Sequence, residues 1–335
     1  MLNERRRRVL AALVEEYIAS AMPVGSKTLV ERYELGCSPA TVRNELSILE
    51  ETGFVVQPHV SAGRLPTDTG YRSFVDDLVE RGGPDRVDQE RSTSRFGGAA
   101  EIDELMRETS IALTQITKCL AVVLAPSVSL ARVRRIDLLS LAPRRAVFVL
   151  ITSSGQVVNR TIELAEDAAP ERLAQIERAL NAALDGKHAV DIRPLRAAIE
   201  AGYRDGRLVA RVIDEILDAL EEADRDRLFH VGVPALLGQP EFHDAERARP
   251  LIEFLEDGIA VLEALSDAFG SRDVTVRIGH ENRRAELGNM SVVATNYGAG
   301  SGDGVVGVIG PTRMDYPRVM AAVRAVSDDL SDALS

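Results

Sequence analysis

Tryptophan is absent from this chain, and aromatic residues fill only 4% of its 335 positions. Its cores must therefore rest on Leu, Val, Ile and Ala. Cysteine is almost as scarce. Cys37 and Cys119 stand far apart, with no CxxC and no Cys/His cluster around them. That excludes a disulfide framework and a structural zinc, and it fits a reducing, cytoplasmic setting. Long apolar runs are missing too: "CLAVVLA" is among the longest, far short of the roughly 18 residues of a membrane span. In "MLNERRRRVLAALVEEY" the basic residues precede "VLAALV", but Glu15 and Glu16 end that run too early for a secretory leader.

Catalytic and metal-binding motifs are equally thin. His59, His188, His230, His243 and His280 are scattered without ligand spacing. No G-x-S-x-G, P-loop or H-E-x-x-H occurs. "GDGVVG" at 302–307 has the form G-x-G-x-x-G, yet it leads into an apolar strand instead of opening a helix, so it reads as a turn. The expectation is a protein that is not an enzyme and needs no cofactor.

The net charge is −12, and its distribution matters more than its sum. Residues 1–75 hold nine basic and nine acidic side chains, so the whole acidic excess lies beyond them. A neutral N-terminal module can still present a basic face, while an acidic body limits unspecific contact with nucleic acid.

That module is the most informative part of the sequence. Asn3 suits the cap of a helix reaching about Ala21, with Val9, Leu10, Leu13, Val14, Tyr17 and Ile18 as its stripe. Ser26 suits the cap of a second, short helix ending near Gly36. A third runs from Ser38, with Pro39 in its first turn, to a stop at Gly53. Its Val42, Leu46 and Leu49 face inward at i, i+4 and i+7. Ala40, Thr41, Arg43, Asn44 and Ser47 are left outside, small or hydrogen-bonding groups around one arginine. Such a face fits a major groove, where Arg pairs with guanine and Asn with adenine; a plain surface helix is the alternative. "FVVQPHV", "SAGR" and "LPT" then read as strand, turn and returning edge. Three helices and a hairpin make a winged helix-turn-helix, whose wing lies along the DNA backbone or minor groove. Arg64 at the wing tip suits a narrow minor groove, and Gly63 suits a turn with unusual φ. His59 and Ser61 lie on the same wing. Arg5 and Arg6 of the "RRRR" run, together with Lys27, are candidate phosphate contacts, with a solvated face as the alternative.

"PVGSKTL", "SPATVRNELSILEETGFVVQPHVSAGRLPTDTGYRSFVD" and, near the far end, "GVIGPTRMDYPRVMAAVRAV" resemble the HrcA family of bacterial heat-inducible transcription repressors. The middle of the chain matches that family in length and order of elements only.

Beyond residue 80, "RGGPDRVDQERSTSRFGGAA" (81–100) reads as a linker. A helix follows over 101–121, with Ile102, Leu105, Met106, Ile116 and Leu120 inward. Strands follow at "ARVRRIDLLSL", "RAVFVLITSSG" and "QVVNRTIEL". Residues 170–184, 206–224 and 244–269 are helical by periodicity, and late strands appear at "VTVRI", "SVVATNY" and "GVVGVIG". Early and late strands separated by about a hundred mostly helical residues point to one α+β domain with an insertion. The resemblance implies a GAF-like domain over 101–164 and 231–335, interrupted by a mostly helical dimerisation domain at 165–230, all behind an N-terminal winged-helix domain over 1–80. Within the insertion, Val209, Val212, Ile213, Ile216, Leu217 and Leu220 on one helix face are the candidate homodimer contact; burial inside one subunit is the alternative. The resemblance further implies an inverted-repeat operator on double-stranded DNA near chaperone genes, and the chaperonin GroEL as a partner. A metabolite-sensing regulator with an effector in the GAF-like domain is the rival reading.

Overall fold

The computed structural model describes residues 2–334 except 60–61, 83–101, 130, 154, 185, 202–205, 226, 243, 257–259, 262–263, 266–272 and 299–303. Helix α1 (Glu4–Ser20) begins at its expected cap: the Asn3 side chain accepts the Arg6 N–H at 2.9 Å. α2 (Ser26–Arg32) is capped by Gly25, and Ser26 is its first residue instead of its cap. α3 (Pro39–Glu51) has Ser38 as N-cap, and the chain leaves it through Gly53 at φ +81°. β1 (Val55–Val56) and β2 (Leu65–Pro66) form the hairpin, with Val55 opposite Pro66. A bridge from Val24 to Arg64 adds a third short edge. α4 (Asp68–Glu80), capped by Thr67, completes a winged helix. The linker expected at 81–100 lies almost wholly outside the described residues.

α5 (Ile102–Thr117) stops before the expected 121, because Lys118 at φ +59° turns the chain. Leu120 then opens a strand, β3 (Leu120–Leu124), in which all five residues are buried. An unbroken apolar run without alternation is what a strand covered on both faces looks like, and periodicity alone does not separate it from a helix. The next strands, β4 (Val133–Ala142), β5 (Arg145–Thr152) and β6 (Val157–Glu163), do not join β3. They form their own antiparallel sheet in the order β4–β5–β6. Helices α6 (Pro170–Leu184), α7 (Ile192–Ala201) and α8 (Gly206–Arg225) follow. Only with β7 (Leu228–Val231) does the chain pair with β3 again, Val122 opposite His230. After α9 (Val233–Leu237) and α10 (Ala245–Glu256) come β8 (Thr275–Ile278), β9 (Met290–Tyr297), β10 (Gly304–Pro311) and α11 (Tyr316–Ala333). The larger sheet has the order β7–β3–β10–β9–β8, antiparallel throughout.

Three cores result. One runs without a break from Val9, Leu46, Leu49 and Phe74 of the winged helix to Val293, Val306, Val323 and Leu330 of the larger sheet and α11. A second covers the other sheet face, where Leu120, Val122 and Ile309 meet Leu236, Leu251 and Phe254. This layered α+β unit is the GAF-like domain. The third core is self-contained. Ile136, Phe148, Leu150 and Ile162 of the smaller sheet pack with Leu173, Ile176, Leu180 and the α8 stripe.

That third core corrects two expectations. A boundary near 165 would cut between β6 and α6, which share it; the inserted unit instead carries its own three-stranded sheet. And Val209, Val212, Ile213, Ile216 and Leu220 are each at most 1% exposed, with Leu217 packed at their margin. Their apolar area is already removed from water by the subunit's own sheet, so this stripe is committed to its own subunit's core. The two chain crossings between insert and larger sheet are polar: Ala125 N–H donates to Arg227 O at 2.9 Å, and Asp224 accepts from the Val128 N–H at 2.9 Å and the Ser127 hydroxyl at 3.0 Å.

Candidate nucleic-acid interface

The outer face of α3 is built as its sequence requires. Burial of Val42, Leu46 and Leu49, all at 0% exposure, turns Ala40, Arg43, Asn44 and Ser47 outward at i, i+3, i+4 and i+7. Ala40, Arg43 and Asn44 are exposed. Ser47 is half-buried and donates to Arg43 O at 3.1 Å, and Thr41 is half-buried against the Ser38 hydroxyl at 3.0 Å. Ser38 holds the helix start, its oxygen accepting the Thr41 N–H at 3.2 Å.

Electrostatics single out one side chain on this surface. Arg6 is tied to the buried Glu45 carboxylate at 2.8 Å, and Arg5, 61% exposed, lies 3.7 Å from the same group. Arg7 reaches Asp77 at 3.9 Å, and Arg8 donates to Glu34 O at 2.6 Å. Lys27 lies 3.9 Å from Glu31, Arg32 is paired with Glu16 at 2.7 Å, and Arg72 with Glu281. Among the described residues, Arg43 is the one basic side chain of the first 75 with no carboxylate or carbonyl partner. Asn44 beside it is likewise without a side-chain hydrogen bond among them. Of the expected phosphate contacts, then, Arg6 serves to dock α1 on α3, while Arg5 and Lys27 keep solvent-facing ammonium or guanidinium groups.

The wing departs from expectation at Arg64. Its backbone exchanges two hydrogen bonds with Val24, both 2.9 Å, so it stands on a strand edge and not at the tip. Its side chain is only 15% exposed and folds back onto the last turn of α3, 3.0 Å from Glu50. It holds the wing against the helix instead of protruding from it. Gly63 also has a different reason from the one expected. Its φ is ordinary, but a Cβ there would lie 2.5 Å from the Val24 carbonyl carbon, so only glycine lets the two backbones meet. His59 is exposed, its carbonyl accepting the Ala62 N–H at 2.8 Å, and the Gln57 amide closes the loop onto Ala62 O at 2.8 Å. Ser61 lies outside the described residues. Sequence reasoning missed Glu45 and Glu50. Their one legible signal was a carboxylate placed next to the inward stripe of α3, where an unpaired charge would be costly.

Three comparisons bear on the whole chain. Residues 103–320 match the family described as HrcA protein C terminal domain. A protein of Nocardioides sp. named heat-inducible transcription repressor HrcA is 42% identical over 338 residues, covering 100% of this chain and 99% of that one. A protein of the same name from Streptomyces avermitilis is 42% identical and covers 98% and 97%. A solved structure described as a hypothetical protein superposes with a TM-score of 0.66 at 25% identity, over 100% of this chain and 99% of that chain. With residues 103–320 matched by that family and a likeness to relatives of that name across nearly the whole of both chains, the chain belongs to the HrcA family of heat-inducible transcription repressors.

Proposed function

We propose that the chain represses heat-shock (chaperone) genes by binding an inverted-repeat operator as a homodimer, with the chaperonin GroEL modulating its activity. The observation that carries the DNA reading is the unpaired Arg43 beside Asn44 on the outward face of α3. A guanidinium already held by a carboxylate must lose that partner before it can meet a base. Arg43 has none to lose, so its bidentate pairing with guanine is available in full. His59 and the neighbouring Ser61 would follow the backbone from the wing, and Arg5 and Lys27 would meet phosphates at the margin.

A two-fold dimer needs a face that can meet its own copy. The buried α8 stripe being unavailable, the outer face of the β4–β6 sheet is the candidate. Register places Leu139 beside Val147 and Val149 beside Asn159, with Ile151 opposite Val157, all on that side. Leu139, Leu141 and Val157 are 54%, 59% and 55% exposed. They are three of the eight large apolar side chains that stand exposed among the described residues, gathered on one sheet while the others are scattered. Such a gathering marks an interaction face.

For GroEL the support is the resemblance to a heat-inducible family. Unfolded protein would occupy the chaperonin and deprive the repressor of it, so that transcription rises.

The test is a titration of fixed-salt duplexes, an inverted repeat beside a scrambled copy, with and without GroEL. The expected result is tight two-protomer binding to the repeat alone. Arg43→Ala and Asn44→Ala should each cost about 1–3 kcal/mol of base discrimination. Equal binding to both duplexes, with or without GroEL, overturns the reading.

A further inference from the structure

We propose that Asp68 and Arg72 of α4, together with the Gly279–Glu281 turn that receives them, fix the angle of the winged helix on its body. They thereby decide which half-site spacing the dimer accepts. The inference rests on the operator reading above.

The mechanical path is continuous. The chain leaves α3 at Gly53 and Phe54, and both are bound to the start of α4: the Thr67 hydroxyl donates to Gly53 O at 2.6 Å and the Thr67 N–H to Phe54 O at 3.1 Å. Gly70 seals this joint, since a Cβ there would stand 2.2 Å from Phe54 O. α4 therefore moves with the recognition helix. One turn on, α4 is clasped to the larger sheet. Arg72 donates to Glu281 at 2.8 Å through Nε, pairs with its other oxygen, and donates to Val276 O at 2.6 Å. Asp76 lies 3.4 Å from the same guanidinium. Asp68 Oδ2 accepts the His280 N–H at 3.0 Å and lies 2.7 Å from its Nδ1. The receiving turn is itself held, because Glu281 also accepts the Ile278 N–H at 2.9 Å. There is no slack in it: a Cβ on Gly279 would fall 2.0 Å from Asp68 Oδ2. Between the two clasping residues Tyr71 meets Tyr316 at 5.8 Å between ring centroids. At the other end of the head, Arg313 donates to Ile18 O at 2.8 Å and to Glu241 at 2.7 Å.

Bidentate arginine pairing fixes direction as well as distance. In a symmetric dimer the angle of each reading helix sets the separation of the half-sites it can reach. Neither Asp68 nor Arg72 touches the outward face of α3, so both act as positioning residues.

The experiment uses the full-length protein and fluorescence anisotropy at fixed salt. Four kinds of duplex serve as probes: the inverted repeat, the repeat with one half scrambled, repeats with the spacer changed by single base pairs, and a fully scrambled copy. R72A, E281Q and G279A should lower affinity for the full repeat about tenfold, as the loss of a charged hydrogen bond would. They should also widen the range of spacers accepted and leave half-site binding within about twofold of wild type. The swap R72E/E281R should recover part of the loss. Wild-type affinity and spacing in all three variants overturns the inference. So does an equal loss on both repeat and half-site, which would make the clasp a mere fold support. Wild-type protein that binds a fully scrambled duplex equally well overturns the operator reading and this inference with it.

Discussion

The winged helix and the inserted unit are both attached to the same five-stranded sheet, yet by opposite means. The winged helix shares an apolar core with it, from Val9 to Leu330, and adds ionic clasps around the rim. The insert keeps its core to itself and meets the sheet at a neck of polar contacts between Ala125–Val128 and Asp224–Arg227. Apolar area shared across a boundary makes two units melt as one, because separating them exposes it to water. A neck of a few hydrogen bonds, each worth about 0.5–1.5 kcal/mol net, couples two units far more weakly. The reading head and the sheet should thus behave as one body, and the insert as another.

The largest effect should come from Ile216→Asp, which places an unpaired charge at a site with 0% exposure. It should cost more than about 4 kcal/mol and melt the insert alone. Calorimetry should show an early transition for the insert, while half-site binding survives; loss of half-site binding along with it would break the comparison. Leu46→Ala, in the shared core, should cost about 2–5 kcal/mol and lower the transition of head and sheet together. Two separate shifts would show that they are not one body. Leu139→Glu on the exposed sheet face should yield monomers by light scattering with little change in melting. An unchanged mass would remove that face from the dimer. The smallest effect is chemical. Burial pushes the Cys119 thiol up to about 12, so at pH 8 it stays protonated and enclosed, while the half-buried Cys37 should react. A thiol titration should count one group in the native state and two in denaturant.

Much of the reading head was legible because its signals are local. Asn3, Ser38 and Gly53 are start and stop signals that act within one turn, and the 3.6-residue stripe on α3 determines which residues face out. Ser26 missed by one position because Gly25 serves as cap without a side chain. β3 was lost to the α5 helix because a strand buried on both faces has no alternation to read. The grouping of β4–β6 was lost for another reason: hairpin pairing is local, and nothing in the three strands declares which sheet they extend. At the site, Arg43 and Asn44 were legible as outward residues. That Arg43 alone lacks a partner among the described basic side chains of the first 75 residues was not, since Glu45, Glu16 and Glu281 reach their arginines across 16 to 209 positions.

The sequence by itself determined a winged helix, the face of α3 that turns outward, and an α+β body with a helix-rich insertion. These follow from caps, turns and periodicities that act over a few residues. Only the tertiary structure decided that the α8 stripe is buried in its own subunit, that Arg64 is bound to Glu50, and that α4 is clasped to the 279–281 turn. An apolar stripe says that it must leave water and a charge says that it must be paired. Which partner satisfies either demand is a matter of where distant segments meet in space.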